Sequence, residues 1–177
     1  MKLKILPLML TAAISAALLF GGWFAYRHYG VEQPLDKITN EIPGVESSEV
    51  DMTNSHVIVK VKLTPDANLS EVYRLVERDG AGVIGGKQLE FNVSTKESPR
   101  LEKAWSYALF DVAEAMENRK YSDVRDAMSK LAEKFPGVSV TTDMDEVNVY
   151  ISMRDGNEAK FVILPRQPAM LGVWPNA

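Results

Sequence analysis

Residues 5–26 read ILPLMLTAAISAALLFGGWFAY, a stretch with no charged side chain, preceded by Lys2 and Lys4 and followed by Arg27 and His28. About 20 apolar residues are enough to cross a bilayer as a helix, and here charges stand at both mouths. The stretch therefore divides the chain into an anchor, 1–28, and a body that must pack without it. It is longer than the roughly 7–15-residue core of a cleaved signal peptide. Its end, Phe20-Gly21-Gly22-Trp23-Phe24-Ala25-Tyr26, is bulky where a cleavage site wants small side chains. Retention, rather than removal, is the expectation.

Trp23, Tyr26 and Tyr29, with Arg27 among them, form the belt that rings with a polar tip make at a membrane interface. The α-amine, Lys2 and Lys4 outweigh Arg27, which keeps the amino end in the cytoplasm and puts the body outside it. Ala13, Ala17, Gly21 and Ala25 recur every four residues, a smooth stripe along which a second helix can approach closely. Alanine-rich spans also produce such stripes with no partner at all.

Of the 177 residues none is cysteine, which removes disulfides, thiolate metal sites and a cysteine nucleophile. The formal net charge is -4, and three cations, Lys2, Lys4 and Arg27, belong to the anchor region, so the remainder carries -7. An acidic body repels phosphate backbones, and nucleic acid is not an expected partner. Roughly 150 residues outside the anchor suffice for one compact unit.

A polar connection, 29–34, containing Gly30 and Pro34, leads into that body, 35–164. Leu35, Ile38 and Ile42 mark a helix that Pro43-Gly44 ends. Val50 and Met52, then Val57, Val59, Val61 and Leu63, alternate as a hairpin turning at Asn54-Ser55. Asn68 with Glu71 opens a second helix carrying Leu69, Val72, Tyr73 and Val76. Gly80 to Gly86 turns the chain into a strand with Leu89, Phe91 and Val93. Ser98-Pro99 opens the longest helix of the body, with Leu101, Trp105, Ala108, Leu109, Val112 and Met116 on its apolar face and a solvated face opposite. Ser122 caps a further helix with Val124, Met128, Leu131 and Phe135, stopped by Pro136-Gly137. Strands over 138–142, 147–153 and 159–164 follow, the last two joined at Asp155-Gly156.

The order α-β-β-α-β-α-α-β-β-β predicts an α+β fold, a mostly antiparallel sheet packed with about four helices, with 35–94 and 98–164 as subunits. Ile42-Pro43-Gly44-Val45 leading through Asp51-Met52 is echoed by Phe135-Pro136-Gly137-Val138 leading through Asp143-Met144, one residue shorter in spacing. A repeated helix-hairpin unit would produce that echo.

Chemical motifs are sparse. Gly80-Ala81-Gly82-Val83-Ile84-Gly85 has the letters of a dinucleotide fingerprint, but a helix precedes it and a strand follows, the reverse of what phosphate binding at a helix start requires. Asp143, Asp145 and Glu146 group at a turn without the spacing of a calcium loop. Asp111, Glu114 and Glu117 line the outer side of the longest helix as a charged surface. His28 and His56 lie far apart in sequence, and no HExxH or nucleophile-elbow pattern occurs. Neither an enzyme nor a cofactor is expected. The Pro-rich tail, 165–177, carries Met170, Leu171, Val173 and Trp174, which need burial against the chain itself or a partner.

The helix-strand-strand-helix-strand order over 35–94 resembles the ring-building modules of membrane-anchored secretion and sporulation assemblies. The resemblance covers about a third of the chain and implies side-by-side packing of copies around a membrane axis. The functional expectation is a single-pass membrane protein whose extracytoplasmic body acts by protein contact, as scaffold or accessory part of a bacterial envelope complex. The membrane, a further copy of the chain and an envelope protein are its expected partners. The alternative is an extracytoplasmic module binding a small molecule or cell-wall fragment, with the Gly80 to Gly86 loop and the tail as lid.

Overall fold

The computed structural model describes residues 5–53, 55–95 and 98–166. Its elements are α1 (Ile5–Arg27), a π-helical turn (His28–Glu32), α2 (Gln33–Asn40), β1 (Val45–Met52), β2 (His56–Leu63), α3 (Leu69–Ile84), β3 (Gln88–Ser94), α4 (Pro99–Glu117), α5 (Tyr121–Lys134), β4 (Ser139–Met144), β5 (Asn148–Asp155) and β6 (Glu158–Pro165). The fold is α+β, as the order of elements predicts. The strands make two three-stranded sheets, β1-β2-β3 and β4-β5-β6, in which β2–β3 is the one parallel pair.

Residues 29–34, expected as a polar connection, are helical. Val31, Leu35, Thr39 and Ile42 recur at three- to four-residue spacing and are buried, so an amphipathic face continues straight out of α1. Pro34 lacks the N–H that an unbroken ladder would use, and the wider π-turn precedes it. Burial of one face thus overrides the Gly30 and Pro34 punctuation.

The same override operates in α3. Asn68 caps its start, accepting from the Glu71 amide at 3.3 Å, but the helix runs on through the glycine-rich segment to Ile84. Ile84 and Gly80 are buried, and a Cβ at Gly80 would stand 2.6 Å from Leu35 Cδ1, so glycine is what lets α3 close on α2. Gly85, with φ 63°, ends the helix.

The two hairpins β1–β2 and β4–β5 are built alike. Each follows a Pro-Gly turn closed by a backbone hydrogen bond, Val45 N–H to Ile42 O and Val138 N–H to Phe135 O, with Gly44 at φ 91° and Gly137 at φ 93°. Proline then positive-φ glycine is the type II pattern. At the tips, Thr53 N–H donates to His56 O while the Thr53 hydroxyl accepts from His56 N–H; Asp145 and Asn148 repeat both bonds. The one-residue difference in spacing is a β-bulge, since the β1–β2 register shifts between Val45 and Ser47 whereas β4–β5 runs unbroken.

Two apolar clusters result. One joins α2, α3 and the first sheet; the other joins α4, α5 and one face of the second sheet through Val149, Ile151 and Met153. The opposite face of the second sheet sends Tyr150, Phe161 and Ile163 into the first cluster. β5 is therefore covered on both sides and serves as the shared wall of the molecule.

In α4 the Ser98 cap forms as expected, accepting from the Leu101 amide. Ser122 is not the cap of α5, which begins one residue earlier after Lys120 with no side-chain cap. Leu109, expected on the apolar face, is 40% exposed, and the inner face is instead completed by Ala104 and Ala115.

Candidate interaction surfaces

Three surfaces carry the residues singled out by sequence. The first is the exit of α1. Trp23, Tyr26 and Tyr29 are exposed, and the Arg27 guanidinium lies 5.8 Å from the Trp23 ring centre. Arg27 also binds Glu32 at 2.6 Å and Asp51 on β1. One cation thus ties the apolar helix, the π-turn and the first sheet together. His28 sits in the same collar, its Nδ1 3.2 Å from Glu32.

The helix carrying this collar is long and apolar enough to cross a membrane, and its apolar window is unburied by the body. Ala13, Ala17, Gly21 and Ala25 fall on it at exposed positions, and nothing lies within 4 Å of a Cβ built at Gly21. Met170, Leu171, Val173 and Trp174 lie outside the described residues.

The second surface is the seam between the two hairpin units. Asp143 accepts from Arg74 at 2.7 Å and from the Ser70 hydroxyl, both on α3. Asp145 accepts from Tyr150 Oη at 2.6 Å and from the amides of Val147 and Asn148. The Ser70 bond leads in holding the Asp143 carboxyl below its usual range, with the Met144 amide and Arg74 adding to it. Partial burial works against ionisation of Asp145, but the Tyr150 hydroxyl and the two amides outweigh it and keep the carboxyl low. Burial, with the bond to Asp145, pushes the Tyr150 phenol up. Of the carboxylates grouped by sequence at this turn, Asp143 and Asp145 fasten α3 to the second sheet, the latter through Arg74 at 3.9 Å, while Glu146 is exposed. Among the described residues no group of three or more His, Asp or Glu side chains is placed to hold a metal ion.

Rings reinforce the seam. Tyr73 meets Phe91 at 5.4 Å and Tyr150 at 5.6 Å between ring centres. Such pairs add about 0.5–1.5 kcal/mol each beyond area burial, whereas exposed ion pairs give about 0–1. Of these pairs Tyr73–Tyr150 crosses between the units, with the Arg74–Asp143 ion pair beside it.

The third surface was not visible in the periodicity. The side of α4 read as solvated carries Phe110, 80% exposed, with Tyr107 at 47% one turn before it, while Leu109 at 40% borders the other edge of the buried face. Tyr107 leans on Phe135 at 6.0 Å with Lys134 over its ring, while Phe110 points away from the body. Asp111 and Glu114 flank this ridge and, with Asp123 and Asp126, line an open polar cleft toward α5. The signal available in the sequence was Phe110 itself, an aromatic ring out of phase with Leu101, Ala108 and Val112.

Neither a protein-family model nor a curated protein matches this sequence.

Proposed function

We propose that the chain is a single-pass membrane protein, amino end cytoplasmic, whose extracytoplasmic body acts by protein contact as a scaffold or accessory part of a bacterial envelope complex. The observation that carries this reading is the uncovered ridge of Tyr107 and Phe110, one turn apart on α4. Isolated apolar residues on a surface are ordinary, but a Phe 80% exposed on a rigid helix, with Tyr107 one turn before it, has the composition of a contact core inside a polar rim. The unbroken passage from α1 into α2 supports it too, because a body held by Arg27 at a fixed angle presents that ridge in one direction.

The test is in-cell crosslinking of full-length protein through a photoreactive residue in place of Glu114, at the edge of the ridge. A crosslinked neighbour is expected, and Phe110→Asp should abolish it. That substitution removes no buried contact, so stability should stay within about 0.5 kcal/mol of the parent. A chain that remains without any crosslinked neighbour would overturn the reading.

A further inference from the structure

The direction of β1 fixes which end of the body meets the bilayer. Val45 follows the end of α2 through the Ile42 turn, the Ser48 hydroxyl donates to Asp36 O at 3.2 Å, and Asp51 binds Arg27. β1 therefore descends beside the helix toward α1. From Ser48 to Asp51 the strand covers about 10 Å, and from Asp36 back to Arg27 the helix covers about 13 Å, so the two are nearly parallel in space. Two residues beyond Asp51, about 7 Å, bring the hairpin tip at Thr53 to the level of Trp23, about four helical residues below Arg27.

A second turn reaches the same level. Gln88 N–H donates to Ser55 O at 2.9 Å, which places the α3–β3 turn, Gly85 to Lys87, beside the hairpin tip. Independently, α3 descends along α2 with Gly80 against Leu35 and Ile84 buried one turn lower, so the turn that follows lies near the helix exit. Thr53, Ser55, Gly85 and Gly86 are exposed. Of the carboxylates nearest this end, Glu32 and Asp51 are bound to Arg27, and Glu90, in register with Asp51 across β2, accepts from Asn92.

We infer that the hairpin-tip residues Thr53 and Ser55 and the turn 85–88 seat the body in the lipid headgroup layer, so that it stands on the bilayer at three points: the α1 exit, the hairpin tip and the α3–β3 turn. Small hydroxyl and glycine residues suit that layer, where backbone and hydroxyl groups exchange water for phosphate and ester oxygens. The inference rests on α1 spanning the membrane. Its consequence is a body unable to tilt, with the far loop at Thr64 to Asn68 held a full strand length, about 26 Å, above the lipid.

The chain has no cysteine, so single labels can be introduced cleanly. Full-length Ser55→Cys, Gly86→Cys and Asp66→Cys proteins would carry a fluorophore in phosphatidylcholine vesicles containing a headgroup-spin-labelled lipid, after flotation and circular dichroism confirm insertion and folding. Thr53→Cys replaces any tip variant that misfolds. Quenching several-fold stronger at Ser55 and Gly86 than at Asp66 is expected. Protein that floats with the vesicles but is quenched equally at all three sites overturns the seat while leaving the span intact. Protein that fails to float overturns the spanning reading and the seat with it.

Discussion

Gly80 and Gly82 stand two positions apart in α3 and meet opposite surroundings. A Cβ at Gly80 would lie 2.6 Å from Leu35 Cδ1 and 3.1 Å from Ile84 Cδ1, while at Gly82 nothing lies within 4 Å. Glycine inside a helix costs about 0.5–1 kcal/mol relative to alanine, so Gly82→Ala should stabilise the protein by about that amount. At Gly80 the same gain meets overpacking of a buried Leu, which costs about 1–3 kcal/mol. Gly80→Ala should therefore be net destabilising, by about 1–2 kcal/mol. Urea denaturation of both variants checks the pair, and equal signs would show that α2 and α3 do not close as described. The glycine-rich letters alone suggest a connector because propensity is local. The reason for Gly80 is a side chain on another helix, at Leu35, which no local window contains.

At the scale of elements, the α3–hairpin seam makes stability depend on acid. Asp143 and Asp145 have folded-state values below those of an unfolded carboxylate, near pH 3.9, so their contribution is complete above that value and is lost as pH falls through the lower folded values. Stability should decline below about pH 4 from this source. Asp143→Asn should flatten that decline and cost about 0.5 kcal/mol at neutral pH, the scale of a solvent-facing pair. Denaturation curves from pH 2.5 to pH 7 check it, and an unaltered slope would assign the acid response elsewhere. The elements themselves were legible because each has strong local grammar: the Asn68 and Ser98 caps, the valine alternation of β2, and the two Pro-Gly turns. Even the echo between hairpins could be read, and the bulge at Val45–Ser47 explains its odd residue. What stayed hidden is how elements meet. The split into two sheets, the parallel β2–β3 pair and the clasp of Arg27 on Asp51 all depend on partners distant in sequence. Val31 shows the same limit, since its place in a connection could be corrected only by the core it enters.

For the whole molecule, pairing of copies along the apolar helix is a proposal that the residues of α1 put to the test. The collar at Arg27 joins α1 to the body, so two chains that pair in the membrane also bring their bodies into a set relation, as the ring-building resemblance implies. The seam open to such pairing is the stripe of Ala13, Ala17, Gly21 and Ala25, where Gly21 leaves space on its surface. Small-residue stripes act by letting backbones approach, so a branched side chain at the centre blocks association without altering overall apolarity. Gly21→Leu should therefore lower the resonance energy transfer between donor- and acceptor-labelled full-length copies in vesicles by several-fold, while Leu19→Ala, on the opposite side of the helix from the stripe, should leave it intact. Both spans remain long enough to insert, so a loss seen in Gly21→Leu alone is a loss of pairing and not of anchoring. Transfer unchanged in Gly21→Leu would mean that any pairing runs through the bodies, and the α4 ridge at Phe110 is then the surface to probe for it.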